Sequence, residues 1–145
     1  MDNNRDFIEK LRSSGLRPTK QRIRICKLLF DRKKTFHFTI NDLNKTLKKE
    51  NIKQISLATI YNTVHSFKEK GYLKEISINR EKSYFDTNTS DHHHFLDINT
   101  NQLIDLKKED VEKVRIKKNL PGKKINSIEL QMLNNLYSTQ SQSHS

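Results

Sequence analysis

The stretch from Ser56 to Asp86 constrains the fold of this 145-residue chain more than any other. It opens with SLATIYNTVHSFKEKG, in which a serine that can cap a helix precedes apolar residues at helical spacing and a final glycine. The predicted inward face of this helix consists of Leu57, Ile60, Val64 and Phe67. Two segments of alternating apolar residues, 72–78 and 82–86, follow at once and predict a β-hairpin that turns at 79–81. A capped helix followed directly by a hairpin predicts the end of a winged helix-turn-helix domain.

Three amphipathic segments precede that helix and predict three further helices. The first ends at Gly15, the second starts at Pro18, and the third is capped by Thr39. Cys26, the chain's single cysteine, falls on an apolar face and is predicted to be a core residue rather than a reactive thiol. The predicted inward faces are Phe7, Ile8 and Leu11 in the first helix, Ile23, Cys26 and Phe30 with Leu29 alongside in the second, and Ile40, Leu43 and Leu47 in the third.

The positive charge of the chain is concentrated in its first part. Residues 1–90 carry 20 Lys and Arg against 10 Asp and Glu, whereas residues 91–145 carry 8 against 7. This distribution indicates that the first part binds a polyanion such as nucleic acid. The chain starts without an apolar leader and has no stretch long enough to span a bilayer, so a soluble cytoplasmic protein is expected.

The sequence after the hairpin predicts a small β-β-α-β unit. Strands at 95–98 and 102–106, joined by a turn at 100–101, precede a helix at 107–118 and a strand at 124–133. Because so small a unit has little core of its own, pairing with a second copy is expected. The predicted fold is therefore α+β, with a winged-helix DNA-binding domain at 1–88, an α/β dimerisation and ligand-sensing domain at 89–137, and a disordered tail at 138–145.

The outer face of the predicted recognition helix carries side chains suited to reading base edges. Asn62 can pair bidentately with adenine, Ala58 or Thr59 can touch a thymine methyl group, and Tyr61 can reach a base or a phosphate. His65 on the same face is predicted to face solvent, and the alternative for the whole face is an ordinary solvated one. With the basic residues that flank the helix, the predicted DNA contacts are Arg17, Lys20, Arg22, Ser56, Ala58, Thr59, Tyr61, Asn62, Arg80 and Lys82.

An unbroken run of three histidines, His92, His93 and His94, lies between the hairpin and the next strand. On an extended segment His92 and His94 point one way and His93 the other, so any ion bound there needs ligands from elsewhere. The run is compatible with a metal site, a haem site or a polar hinge without a ligand. Imidazole with carboxylate suits Fe(II), Mn(II) or Zn(II), and neutral imidazole alone suits haem iron.

Besides a DNA-binding regulator, two further classes of protein are considered. A haem- or metal-binding carrier with incidental basic charge would share the histidine run. An enzyme is not predicted, because no nucleophile–base pair stands out and the three glycines of the chain form no phosphate-binding loop.

Three segments resemble the ferric-uptake-regulator (Fur) superfamily: GLRPTKQRIRICKLLF at 15–30, SLATIYNTVHSFKEKGYL at 56–73 and KSYFDTNTSDHHHF at 82–95. Within it, the chain is most similar to the group of iron response regulators (Irr). The resemblance implies a homodimer that binds an AT-rich palindromic operator, controls iron and haem metabolism, and binds DNA less well when haem is present. The alternative is a metal-activated Fur-type repressor with Fe, Mn or Zn as co-repressor.

The resemblance also implies roles for individual residues. Tyr61 matches the family's DNA-contacting tyrosine, and Asn62 stands where typical Fur proteins have arginine. His37, Asp86 and Asp105 are implied as metal or haem ligands beside the histidine run, on both sides of the junction between the predicted domains, where a ligand could set the angle between them.

Glu112 matches a ligand of a second, weaker metal site. A further histidine of that site is expected at Asn126 or its neighbour, and neither is histidine. Asp97 and Thr100 occupy the positions of a zinc-binding Cys-x-x-Cys pair, so no Cys-based structural zinc is expected.

Overall fold

A computed structural model of the protein describes residues 3–50, 54–112, 117–118 and 121–122. The chain divides into two compact units, Met1–Thr89 and Ser90–Ser145. Helices and small antiparallel sheets confirm the predicted α+β class. No helix within the described ranges has both the length and the apolar character that crossing a membrane requires. The first unit contains α1 (Asn3–Ser13), α2 (Lys20–Phe30), β1 (His37–Phe38), α3 (Ile40–Lys49), α4 (Leu57–Lys70), β2 (Lys74–Ser77) and β3 (Ser83–Asp86), and the second contains β4 (His93–Asp97) and β5 (Gln102–Leu106).

The predicted caps of α3 and α4 are confirmed. The Thr39 hydroxyl accepts the N–H of Asp42, whose carboxylate accepts the N–H of Thr39 in return. At α4, the Ser56 hydroxyl accepts the N–H of Thr59 at 3.1 Å. Gly71 ends the helix with a φ of +93°, a conformation that favours glycine.

Helix α2 starts later and packs on a different face than predicted. It begins after Thr19, whose hydroxyl accepts the N–H of Arg22, so Pro18 precedes the cap instead of opening the helix. Its buried residues are Ile25, Cys26 and Leu29, whereas Ile23 and Phe30 are only partly buried. Helix α2 packs against both α1 and α4, so its buried face is wider than a single-partner pattern predicts. Burial raises the pKa of the Cys26 thiol to about 12, as expected for a core residue.

The buried face of α4 also differs from the prediction at its first turn. Ile60, Val64 and Phe67 are fully buried, but Leu57 is 50% exposed because it lies at the helix start, beyond the edge of the core. Thr63 is buried as well, which its polar hydroxyl did not predict. The Thr63 hydroxyl donates to the carbonyl of Thr59 at 2.7 Å, so its burial leaves no polar group without a partner.

The predicted hairpin is present, and an additional strand extends its sheet. Strands β2 and β3 pair antiparallel, and the Asn79 side chain closes their turn by accepting the N–H groups of Glu81 and Lys82. The two-residue strand β1 pairs with the other edge of β3, so the sheet has the order β1-β3-β2. This pairing places His37 directly opposite Asp86.

The second unit contains the two predicted strands as an antiparallel pair. Strand β4 begins at His93, two residues before the predicted start, so part of the histidine run is strand. The Asp97 carboxylate accepts the N–H groups of Asn99 and Thr100 and thereby shapes the turn to β5. A position expected to carry a zinc-binding cysteine in typical Fur proteins therefore holds a turn-forming aspartate.

The helix predicted at 107–118 is not present over the part of that range preceding residue 113. A single 3-10 turn, Lys108–Asp110, follows β5, and all three of its residues are exposed. The Asp110 carboxylate accepts the N–H of Lys107, which closes one turn, and an exposed polar segment has no apolar face to extend it. The predicted strand at 124–133 and the tail at 138–145 lie outside the described residues.

Candidate metal ligands and DNA-binding face

His37 and Asp86 lie side by side in the first unit, because the pairing of β1 with β3 places them opposite each other. We call these two residues the His37–Asp86 pair. The Nε2 atom of His37 lies 3.2 Å from Oδ2 of Asp86, whose side chain is fully buried. The other carboxylate oxygen of Asp86 accepts the backbone N–H of Asn88 at 2.8 Å. A buried carboxylate needs such partners, so the pair would also be stable as a simple hydrogen bond.

Three of the predicted ligands come together in the second unit. The Nε2 atoms of His92 and His94 each lie 3.3 Å from the same oxygen, Oδ1 of Asp105. Strand pairing sets this arrangement, since His94 lies opposite Asp105 in the β4–β5 register and His92 precedes it by two residues. We call this group the His92–His94–Asp105 trio.

The hydrogen bonding of the trio fits a cation. Nδ1 of His92 lies 2.7 Å from the carbonyl oxygen of Ser90, which only accepts, so this nitrogen carries the proton. In that tautomer the unprotonated Nε2 of His92 faces a carboxylate oxygen, an arrangement that a metal ion between the two atoms would stabilise. The ring centroids of His92 and His94 lie 4.4 Å apart. An imidazole whose other nitrogen donates to a backbone carbonyl is the usual state of a metal-binding histidine.

The other two predicted ligands are not part of the trio. His93 is the residue between His92 and His94 on an extended strand, so its side chain leaves on the opposite face. Glu112 is exposed, and within the described ranges it belongs to no group of three or more candidate metal ligands.

Four of the five DNA contacts predicted on α4 and its cap are exposed. These are Ser56, Ala58, Tyr61 and Asn62, whereas Thr59 is partly buried. Ser56 and Thr59 are hydrogen-bonded to each other through their hydroxyl groups at 2.9 Å and help to start the helix. Tyr61 is 53% exposed, so its ring is accessible to a base or a phosphate.

The five predicted basic contacts form two groups. Arg17, Lys20 and Arg22 lie around the start of α2, where Nη1 of Arg22 donates to the carbonyl of Arg17 at 3.0 Å. Arg80 and Lys82 lie at the tip of the β2–β3 hairpin, and Nζ of Lys82 lies 5.2 Å from the centre of the Tyr84 ring. Each group supplies positive charge of the kind that contacts phosphates.

His65 does not face solvent as predicted. Its ring is partly buried, with its centroid 4.4 Å from that of Tyr61 and 5.8 Å from that of Phe85. Its Nε2 atom is buried without a hydrogen-bond partner among the described residues. The sequence carried a signal for the first contact, because residues four apart on a helix are neighbours.

The amino-acid sequence is similar to that of known proteins over most of its length. The profile of the ferric uptake regulator family matches residues 13–133. The peroxide operon regulator of Bacillus subtilis is 34% identical over 101 residues, which are 70% of this chain and 68% of that protein. The peroxide-responsive repressor PerR of Staphylococcus aureus is 33% identical over 100 residues, which are 69% of this chain and 66% of that protein.

Solved structures match over most of the chain. The ferric uptake regulator of Pseudomonas aeruginosa with manganese has a TM-score of 0.60 at 22% identity, and the match covers 92% of this chain and 96% of that one. At this level of identity the likeness shows a common fold.

Proposed function

The chain belongs to the ferric uptake regulator family of metal-responsive transcription regulators, and we propose that a divalent metal ion controls its affinity for DNA. Members of this family regulate transcription and are not enzymes. We propose Fe(II), Mn(II) or Zn(II) as the ion, a homodimer as the active form, and the cytoplasm as its location. The finer assignment to the Irr group, which the sequence resemblance implies, is not confirmed by the comparisons, since the curated relatives reported above are peroxide regulators.

The convergence of two histidines on one carboxylate oxygen carries the proposal. His92 and His94 both direct Nε2 at Oδ1 of Asp105 at 3.3 Å, and Nδ1 of His92 is held by a backbone carbonyl. Two imidazoles and a carboxylate are suitable ligands for a borderline divalent ion. A bound ion would supply the positive charge that holds these groups together.

We propose that the His37–Asp86 pair serves the same ion as the trio. The resemblance described above implies this shared use, and the residue types of both sets support it. A metal titration tests it by stoichiometry: one ion per chain is expected, and that ion should be lost when Asp86 is replaced by Ala. Retention of the ion by Asp86→Ala would leave the trio as a separate site.

Helix α4 is proposed to contact the bases of the operator. The basic residues around the start of α2 and at the tip of the β2–β3 hairpin are proposed to contact its phosphates. The exposure of Ser56, Ala58, Tyr61 and Asn62 supports this role. An AT-rich palindromic duplex suits both the expected dimer and the adenine preference of an asparagine.

A pair of substitutions tests which side chains read sequence. Asn62→Ala should lower affinity for the preferred duplex by about 1–3 kcal/mol and relax the preference at one base pair, because a bidentate base contact is lost. Lys82→Ala should weaken binding to all duplexes alike and reduce the salt dependence, because it removes a phosphate contact. Fluorescence anisotropy against single-base variants of the duplex measures both effects. Uniform losses from both substitutions would show that α4 does not read the bases.

Haem and peroxide are the other candidate signals. Haem is implied by the resemblance to the Irr group, and the contiguous histidines favour it because neutral imidazole binds haem iron. The carboxylate at the centre of the trio favours a divalent ion. Peroxide is suggested by the names of the two relatives described above.

One experiment separates these candidates. Wild-type protein and Mn(II) would first select duplexes from a randomised pool, and affinity for the selected duplex would be measured with chelator, Mn(II), haem, or Fe(II) followed by peroxide. We expect Mn(II) to raise affinity by about 5- to 150-fold, the usual size of such coupling. Specific binding should exceed binding to random duplex by about 10³ or more.

The other outcomes identify the rivals. If Mn(II) has no effect and haem lowers affinity, the haem-responsive function is correct and the metal proposal is wrong. If Fe(II) raises affinity and peroxide then lowers it, peroxide is the signal. If no duplex is selected over random DNA, the chain is a carrier of haem or metal rather than a regulator.

A further inference from the structure

Four aromatic rings form a continuous row in the first unit. Tyr61 and His65 lie one turn apart on α4 with ring centroids at 4.4 Å and an interplanar angle of 35°. His65 meets the edge of Phe85 at 5.8 Å and 88°, and Phe85 stacks on Phe38 at 5.7 Å and 27°. The row therefore runs from the buried β1–β3 pair to the exposed tyrosine of the proposed DNA-binding face. We call these four residues the aromatic row.

The two ends of the row differ in burial, and His65 is the residue that joins them. Phe38 and Phe85 are buried in the core, whereas half of Tyr61 is exposed. A tyrosine on a helix surface has several rotamers, and ordering it on contact with a ligand costs conformational entropy. A ring packed against Tyr61 reduces that cost by limiting the rotamers before DNA arrives.

The bonding of His65 indicates that its ring contributes by packing rather than by hydrogen bonding. Nε2 is buried and makes no hydrogen bond with any residue in the described part of the chain. Leaving a polar atom in this state destabilises a fold, so a hydrogen bond from Nε2 does not explain the imidazole at this position. What the ring does provide is a surface on each side, one for Tyr61 and one for Phe85.

We propose that His65 is a positioning residue, which holds the Tyr61 ring in the orientation that contacts DNA. It does so by bracing Tyr61 against Phe85, and it makes no contact with DNA itself. The inference rests on the proposed role of Tyr61 in DNA binding. It assigns to that face a residue that does not contact DNA itself but orients the neighbouring residue that does.

A double-mutant cycle between Tyr61 and His65 tests the proposal. The probe is the duplex that wild-type protein selects from a randomised pool in Mn(II), and affinity is measured by fluorescence anisotropy in the same buffer. His65→Ala should weaken binding by roughly 3- to 10-fold, the size expected for loss of one aromatic pair. In a Tyr61→Ala background the same substitution should have almost no further effect, because the residue that it positions is absent.

Two additional variants separate positioning from folding. His65→Phe should bind within about twofold of wild type, since it keeps a ring of similar size, and should melt no lower because it removes the unpaired nitrogen. Ser66→Ala, on the next residue of the same helix, should leave affinity unchanged. Thermal unfolding by circular dichroism shows that each variant is folded at the temperature of the binding measurement.

Several outcomes would overturn the inference. Equal losses from His65→Ala in both backgrounds, or a loss in His65→Phe as large as in His65→Ala, would show a role other than positioning Tyr61. A large loss from Tyr61→Ala with none from His65→Ala would overturn the positioning role and leave the DNA-binding face intact. No loss from Tyr61→Ala would overturn both.

Discussion

His94→Ala is expected to weaken the binding of Mn(II) by about 100-fold or more. His94 contributes one of the two imidazoles that meet Oδ1 of Asp105, and even groups that only support metal ligands change affinity by about 10- to 100-fold when removed. Isothermal titration calorimetry, or competition with a fluorescent chelator for tighter binding, measures the change. At an Mn(II) concentration that fills the wild-type site but not the weakened one, DNA affinity of the variant should fall to the level seen in chelator.

His93→Ala is the matched control. It removes an identical side chain from the adjacent position of the same strand, but this side chain leaves on the opposite face from the trio. Mn(II) affinity of His93→Ala should stay within about twofold of wild type, a difference below ~0.4 kcal/mol. Equal losses from the two substitutions would show that the alternation of β4 does not select the ligands, and the trio would be the wrong site.

Phe67→Ala is expected to destabilise the first unit by about 3–5 kcal/mol. The Phe67 side chain is fully buried, and its ring contacts the edges of Phe30 at 5.5 Å and Tyr72 at 6.1 Å. Truncation removes these contacts and leaves a cavity beneath the proposed recognition helix. Since domains of this size are stable by only about 5–15 kcal/mol, urea unfolding should show a large shift in midpoint.

Leu57→Ala on the same helix is the control for this prediction. The sequence pattern places Leu57 in the core, but half of its surface is exposed. Its truncation should cost only about 0.5 kcal/mol, as surface substitutions usually do. A loss as large as that from Phe67→Ala would mean that Leu57 is packed in the core, as the sequence pattern predicts.

Features that depend on nearby residues were the ones that the sequence predicted well. The caps of α3 and α4 follow from a hydroxyl followed three residues later by an N–H to satisfy. The β2–β3 hairpin follows from two alternating segments around an asparagine. In each of these cases the determining groups lie within a few residues of one another, so a sequence pattern can show them.

Features that depend on tertiary packing were not predictable in the same way. Strand β1 has two residues and therefore no periodicity, and it exists because β3 offers an open edge. A helical wheel places His65 in solvent because it contains α4 alone, whereas Phe85 comes from β3. A sequence pattern leaves Thr63 out of the core because it counts the hydroxyl as polar and does not show the carbonyl that accepts its hydrogen bond.

The candidate ligands illustrate both situations. Alternation along the histidine run separates His93 from His92 and His94 without any structure. That both of them meet Asp105 depends on the β4–β5 register, which places Asp105 opposite His94. The sequence named Asp105 through its resemblance to a family, and the strand pairing supplies the physical reason.

The brevity of β1 has a consequence for how quickly the first unit would respond to the proposed metal ion. A two-residue strand at the edge of a sheet is held by few backbone hydrogen bonds. Next to it, the N–H of Thr87 donates to the carbonyl of Phe36, and the N–H of Phe36 donates to the Thr87 hydroxyl. Such an edge opens and closes on its own, far more often than the whole unit unfolds. Opening separates His37 from Asp86, and an ion bound to both would hold the edge closed. The time for which β1 stays paired with β3 would then depend on whether the metal site is occupied.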